Sequence, residues 1–261
     1  MFIEHQAQLR IEENGQVGMA WTGQAGFAFK DSGGLIYHVD PYLSNACSRF
    51  VGYHRIIPPP IEAKEVKADF FLFTHAHRDH LDPDSIPLMA KANPEAVFVC
   101  PPSCLGPLLE MGIASGRMLI LECGASKRIG NAKVHAVTAL HTVDSVGYVL
   151  HYGDVTVYIT GDTVYSDELI SIGEHKPDVM MSCINGRLGC MNIPDAARLT
   201  SHIQPGYAVP MHIQMFTENT ASAEEYVRQV EAYSGVTKGF IMRMGEWYIF
   251  DRVRGFIQLE L

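Results

Sequence analysis

The chain has 261 residues and a formal net charge of −9, with its 20 Lys and Arg scattered rather than clustered. That balance excludes nucleic acid and anionic membrane as partners, because both demand a basic face. Hydrophobic residues make up 47% of the chain, enough for a large core, and no linker, repeat or low-complexity tract divides it, so a single domain over 1–261 is expected.

Residues 1–10 carry Glu4 and His5 and no apolar run, unlike a signal peptide, and no stretch reaches the 18 or so apolar residues of a membrane span. The six cysteines form no CxxC pair, and several sit in apolar runs such as Val97–Cys100. Buried, reduced thiols in a cytoplasmic protein are expected.

Segment 1–14 is ambiguous and receives no assignment. Residues 19–21, 26–30 and 35–39 suit short strands, with a hairpin signal at Asp31-Ser32-Gly33-Gly34. Pro58-Pro59-Pro60 forces an extended loop. The apolar run 69–73 reads as a strand buried on both faces and ends directly at Thr74-His75. Helices are expected over 84–91 and 103–111, on either side of a strand at 97–100. Strands follow at 133–140, 147–152 and 155–160, then a helix over 167–174 and a strand over 178–183. A helix over 194–202 has Pro194 near its start, where a missing N–H costs little, and 207–211 is another strand. Ser222 caps a helix over 223–233, with Glu225 completing a capping box. Residues 240–244 and 246–251 read as a closing hairpin. Strands lead each half and helices intersperse later, which suits two mixed sheets packed face to face with helices outside.

The strongest chemical signal is Thr74-His-Ala-His-Arg-Asp-His-Leu-Asp82. Three histidines and a carboxylate lie within six residues, straight after a buried strand. Imidazole nitrogen and carboxylate oxygen are the ligand set of zinc, manganese or iron(II). His75 and His77 can share one metal while Asp79 and His80 serve a second. A histidine-rich surface turn does not explain why the same ligand types recur later at strand ends. His141 follows 133–140, Asp162 follows 155–160 within Thr160-Gly161-Asp162-Thr163, and His212 follows 207–211. A lone strand-end histidine is more often structural, but together, in this order, they complete two metal sites. Asp162 is the natural bridge, because a carboxylate can offer one oxygen to each cation.

This series, HxHxDH, then His, then Asp in a TGDT turn, then His after a strand, resembles the metallo-β-lactamase superfamily over roughly 19–244. The resemblance implies a four-layer αββα sandwich of two mixed β-sheets flanked by helices. Within the superfamily the chain is similar to the L-ascorbate-6-phosphate lactonase branch and its metal-dependent hydrolase relatives. That similarity is carried by 21–29, 39–44, 185–192, 194–197 and 209–212. Two departures separate the chain from the lactonase, which has an acidic residue where His141 stands and is considerably longer. The resemblance gives Asp40 the role of orienting a metal-bound histidine through its other N–H. Relatives of the lactonase form homo-oligomers, so self-association is an expectation from the resemblance alone.

Arg187, with Asn185 and Asn192, is the candidate grip on a substrate anion, since a guanidinium presents a planar fork of donors. His54 and Arg55 are weaker candidates of the same kind. His38, His135, His151 and His175 read as structural or surface residues, His202 suits a helix C-terminus, and Met180, Met181 and Met191 suit core packing.

The expected reaction is attack by a metal-bridging hydroxide on a small anionic ester or lactone, such as a sugar-phosphate lactone, with two divalent ions, Mn2+ or Zn2+ and alternatively Fe2+. Asp79, His80 and Asp162 would carry the chemistry, and no GxSxG motif offers a covalent route. The alternatives are a phosphodiesterase on a small or cyclic phosphodiester, a mononuclear iron oxidoreductase and a non-catalytic metal-binding module. Di-iron members of the superfamily carry a carboxylate where His77 stands, which counts against that chemistry.

Overall fold

The computed structural model describes residues 2–12 and 15–259. Helix α1 (Phe2–Gln8) precedes strands β1 (Gln16–Gly23), β2 (Gly26–Lys30) and β3 (Ile36–Val39). Helix α2 (Ala46–Val51), β4 (Phe70–Leu72), α3 (Ile86–Ala92), β5 (Val97–Cys100), α4 (Leu105–Glu110) and β6 (Met118–Ile120) complete the first half. The second half runs through β7 (Ser126–Ile129), β8 (Ala132–Thr138), β9 (Val146–Tyr152), β10 (Val155–Ile159), a 3₁₀ segment (Asp167–His175) and β11 (Val179–Cys183). It continues with α5 (Ile193–Ile203), β12 (Tyr207–Met211), α6 (Ala223–Tyr233), β13 (Lys238–Gly239), β14 (Trp247–Asp251) and β15 (Gly255–Gln258).

These strands form two mixed sheets. One has the order β15-β14-β1-β2-β3-β4-β5-β6, the other β13-β12-β11-β10-β9-β8-β7. In the first, β3 to β6 are parallel; in the second, β10 to β13 are parallel. Strand alternation explains the layering. Phe27, Phe29, Tyr37, Val39, Leu72 and Val99 point from the first sheet into a core shared with Val134, Tyr148, Leu150, Val157 and Met181 of the second. Their neighbours Ala28, Phe71 and Phe98 point the other way, into a separate core under α3 and α4 with Ile86, Met89 and Leu108. The second sheet's outer face is covered by α5 and α6 through Ala196, Leu199, Tyr226 and Val230. The layers are therefore helix, sheet, sheet, helix, as the sequence predicts.

Several elements differ from the expectation. Residues 240–244 and 246–251 do not pair as a hairpin. Lys238–Gly239 adds to β12 in the second sheet, whereas Trp247–Asp251 pairs with β1 in the first and makes its hairpin with β15. The chain crosses between sheets there, and a strand's apolar pattern does not say which sheet it joins. The helix expected over 167–174 is present as a 3₁₀ segment, Asp167–His175. Within 1–14, Phe2–Gln8 is helical and packs Phe2 on Trp247 with ring centroids 5.4 Å apart. The Ser222 hydroxyl accepts from the Glu225 N–H at 3.1 Å, but the Glu225 carboxylate engages Arg228 and Gln229 instead of closing a capping box.

All six cysteines are free, and only Cys123 among them is exposed. No helix among the described residues is long and apolar enough to cross a membrane.

His38 is fully buried beside the Phe71 ring, and burial pushes its pKa down to about 4. Between that value and the ordinary one near 6.5 the unfolded chain binds a proton that the folded chain does not, so stability falls as pH drops through this window. Chemical denaturation at pH 7.5 and 4.5 should show the wild type losing roughly 2 to 3 kcal/mol more than His38→Phe. Parallel losses in the two proteins would refute the assignment.

Candidate metal centre

Parallel β3 and β4 end side by side, and the residues just past them are tied together. The Asp40 carboxylate accepts from the Thr74 N–H at 2.8 Å, from the Thr74 hydroxyl at 2.6 Å and from His80 Nδ1 at 2.8 Å. With Nδ1–H donating to Asp40, His80 turns Nε2 toward the centre, where a cation would take the place of its proton. The far end of the loop is fixed by buried Asp82, which accepts from the Leu43 and Ser44 N–H groups and from the Ser44 and Ser85 hydroxyls. The ligand-bearing loop is thus held at both ends by buried carboxylates.

The opposite wall comes from the second sheet. His141 follows β8, Asp162 follows β10 and His212 follows β12. Gly161 adopts φ +60°, and a Cβ there would lie 2.8 Å from the Val146 carbonyl oxygen and 3.2 Å from Thr74, so only glycine turns the chain tightly enough to aim Asp162 inward. Gln24, Asp40 and His212 also take positive φ (54°, 45° and 61°), a costly geometry for non-glycine residues that the surrounding strands impose.

The ligand atoms gather in two sets, His75, His77 and His141, and Asp79, His80 and His212; Asp162 closes a third set with His75 and His80. Asp162 Oδ2 lies 3.2 Å from His212 Nε2, 3.4 Å from His80 Nε2 and 3.7 Å from His141 Nε2. His77 Nδ1 and His141 Nε2 are 3.0 Å apart, and Asp79 Oδ2 is 3.2 Å from His212 Nε2. All seven residues expected as metal ligands converge, with Asp162 between the two sets. The donors also suit an ion chemically: His75 Nε2, His80 Nε2 and Asp162 Oδ1 are buried with no hydrogen-bond partner, a costly state for polar atoms that a cation relieves.

Electrostatics point the same way. Burial, reinforced by His80, drives the His75 pKa well below its ordinary value, and burial with His141 lowers that of His77. Both are neutral and ready to ligate. Burial alone would raise the carboxyls of Asp79 and Asp162, but His80 and His212 hold both well below the usual carboxylate range. Burial opposes protonation of His80 and His212, yet facing Asp162 first among their carboxylate neighbours they are raised, His212 to about 10. Protons on His80 and His212 thus balance the two ionised carboxylates, a balance that cations would take over with release of those protons.

Other residues belong to the site that their sequence positions did not reveal. Gln24 is fully buried and donates to Asp79 Oδ2 at 2.9 Å while its amide nitrogen lies 3.1 Å from His212 Nε2. Cys190 clusters with His141 and Asp162, and Gly189 accepts from His141 Nδ1 at 3.1 Å. Gln24 sits in a tight turn between two strands, and that turn was the available signal.

The substrate-binding candidates fall differently. Asn192 caps α5, accepting from the Asp195 N–H at 2.9 Å. Asn185 is buried and donates to Asn219 at 2.7 Å. Arg187 is exposed and does not line the cavity of about 1040 Å3 that opens over the centre, whereas Leu188 and Asn219 do. Arg55 braces its own loop through the carbonyls of Tyr42 and Ser44, and His54 and His202 are exposed.

The fold and the donor set define a member of the metallo-β-lactamase superfamily, to which the chain belongs: the β-lactamase superfamily domain matches residues 18–212. More narrowly, it falls among the UPF0173 metal-dependent hydrolases. The one from Pyrobaculum arsenaticum is 30% identical over 83% of this chain and 92% of its own. That of Archaeoglobus fulgidus is 28% identical over 90% of this chain and all of its own. Among solved structures, Igni18, a metallo hydrolase from Ignicoccus hospitalis, superposes with a TM-score of 0.75 at 24% identity, covering 90% of this chain and 99% of that one.

Two substitutions separate holding from aiming. His77 is exposed, so His77→Ala should leave the circular dichroism spectrum unchanged and lower metal content by elemental analysis; a metal-replete variant would overturn its assignment. Asp40→Asn should weaken metal affinity about 10- to 100-fold in chelator competition without removing any donor.

Proposed function

We propose that the chain hydrolyses an ester or lactone whose acyl part is apolar, at a centre of two divalent cations. The observation that carries this reading is the cavity above the centre. It reaches His77, Asp79, His141, Asp162 and His212 at its floor, and its walls include Phe50, Val51, Tyr53, Met111, Leu188 and Phe216. Apolar walls with a few convergent polar groups are the usual form of a small-molecule site. Arg78 is the one Lys or Arg in the lining among the described residues, and its guanidinium lies 4.0 Å over the Phe50 ring. A sugar-phosphate lactone would therefore find a single guanidinium, stacked on Phe50, and no cluster of cationic side chains, and the small anionic substrate read from Arg187 draws no support from this lining.

His75, His77 and His141 would hold one cation, Asp79, His80 and His212 the other, with Asp162 between them. When bound, the pair lowers the pKa of water to the neutral range and polarises an electrophilic oxygen. The chain's own residues do the rest. Asp40 fixes the His80 tautomer, and Gln24 restrains Asp79. Ionised Asp79 is placed to accept a hydrogen bond from the attacking water and orient it. The apolar walls exclude bulk water and position the acyl group, so that binding energy from the remote part of the substrate contributes to the reaction. Zinc and manganese both suit these ligands. Free, mostly buried cysteines favour a reducing compartment, and we place the enzyme in the cytoplasm.

The test is a panel of apolar-acyl lactones and aryl esters, a sugar-phosphate lactone and a cyclic phosphodiester, assayed with zinc or manganese. We expect kcat/KM to rise with acyl size, and Phe50→Ala to lower it about tenfold through KM. Preference for the phosphorylated lactone or the phosphodiester would overturn the substrate class. A single iron with oxygen uptake would overturn hydrolysis itself.

A further inference from the structure

Three histidines with no part in the centre above meet on the outer face of the second sheet. His135 on β8 pairs across the ladder with Val149, and His151 on β9 pairs with Lys133. The two imidazoles are therefore diagonal neighbours on one face, opposite to the face on which Val134, Ala136, Leu150 and Tyr152 enter the core. The third, His175, comes from the last position of the 3₁₀ segment Asp167–His175, where the chain turns through Lys176 at φ +50°. Ring centroids are 4.8 Å apart for His135 and His175, 5.2 Å for His135 and His151, and 6.0 Å for His151 and His175.

From this convergence we propose that His135, His151 and His175 form an additional zinc site, separate from the catalytic centre. One ring nitrogen from each lies within 4.8 Å of the others. Zinc–nitrogen bonds are about 2.0–2.1 Å, so the rings close on an ion by roughly an ångström, a side-chain adjustment. His151 Nδ1 contacts the Thr156 hydroxyl at 3.0 Å, which leaves Nε2 as the ligating atom and fixes the ring as a metal-bound histidine is usually fixed. All three residues are half-buried, close enough to the surface for an ion to enter and for water to complete a tetrahedron. Crowding supports the ligand form: burial first, then His175, Lys133 and His151, keeps His135 neutral down to about pH 4. Three imidazoles and no carboxylate among the donors suit zinc, nickel or copper and not magnesium or calcium. An ion there would pin the 3₁₀ segment, which connects the Asp162 turn to β11, onto β8 and β9, the strands on either side of His141.

The site stands apart from the hydrolase reading and is tested apart from it. Full-length protein is dialysed against excess zinc, desalted and analysed for zinc per chain, with His135→Asn and His175→Gln in parallel. Each variant should hold one zinc fewer than wild type and retain the wild-type far-ultraviolet spectrum. In addition, zinc should raise the Tm of wild type by several degrees more than that of either variant. Equal zinc content in wild type and variants, or equal zinc-induced shifts in Tm, would overturn the proposal. Should His135→Asn prove poorly folded, His175→Gln decides alone, since its side chain lies outside the strands.

Discussion

The Asp162 carboxylate is the point on which this molecule is organised. It is almost entirely buried, yet ionised, and it faces histidines carried by both sheets: His80 from the first, His141 and His212 from the second. An unpaired carboxylate at that depth would cost several kcal/mol, so the two sheets must deliver their histidines to it together. The candidate metal centre draws its donors from both sheets, so it is assembled only when the sandwich is closed. The same demand explains the backbone around it. Gly161 is squeezed between Val146 and Thr74, and Gln24, Asp40 and His212 take left-handed conformations. That strain is tolerated because strand pairing on either side leaves the chain no alternative path.

A division of labour follows from the burial pattern. The shared core between the sheets holds the strand ends in register, and the carboxylates of Asp40 and Asp82 lock the ligand loop at its two ends. Charge and geometry at the centre are thereby set before any substrate arrives, which is the condition for electrostatic catalysis without reorganisation. The apolar walls of the cavity above it come from elsewhere, from α2, the 83–111 region and the Leu188 loop. Walls of this kind vary without disturbing the ligands, so a shared centre within the superfamily carries little information about the molecule it acts on.

Much of this was legible in the sequence because it is local. The candidate ligand loop 75–82 is contiguous, and His141, Asp162 and His212 each stand just past an apolar run, so ligand type together with strand-end position singled them out. The layered architecture followed from the order of strands and helices. Other features were hidden for identifiable reasons. Strand β6 is only three residues and β7 is mostly exposed and polar, so neither has an apolar period to read. The apolar runs at 240–251 looked like partners, but the strand on the second sheet ends at Gly239 and only 247–251 forms a strand, on the first sheet, a crossover that hydrophobic pattern does not encode. Asn192 was singled out for its chemistry, and it serves as a helix cap because α5 begins one residue later.

By itself, then, the sequence determined which residue types could ligate a cation and where most of the strands and helices run. Only the tertiary structure decided that Gln24 lies against Asp79 and His212, that Arg187 stands outside the cavity, that its walls are apolar, and that His135, His151 and His175 meet on one face. The reason is range. Ligand type, periodicity and turn chemistry are properties of a few consecutive residues, whereas proximity across 188 positions, as between Gln24 and His212, is created by the packing of one sheet on the other.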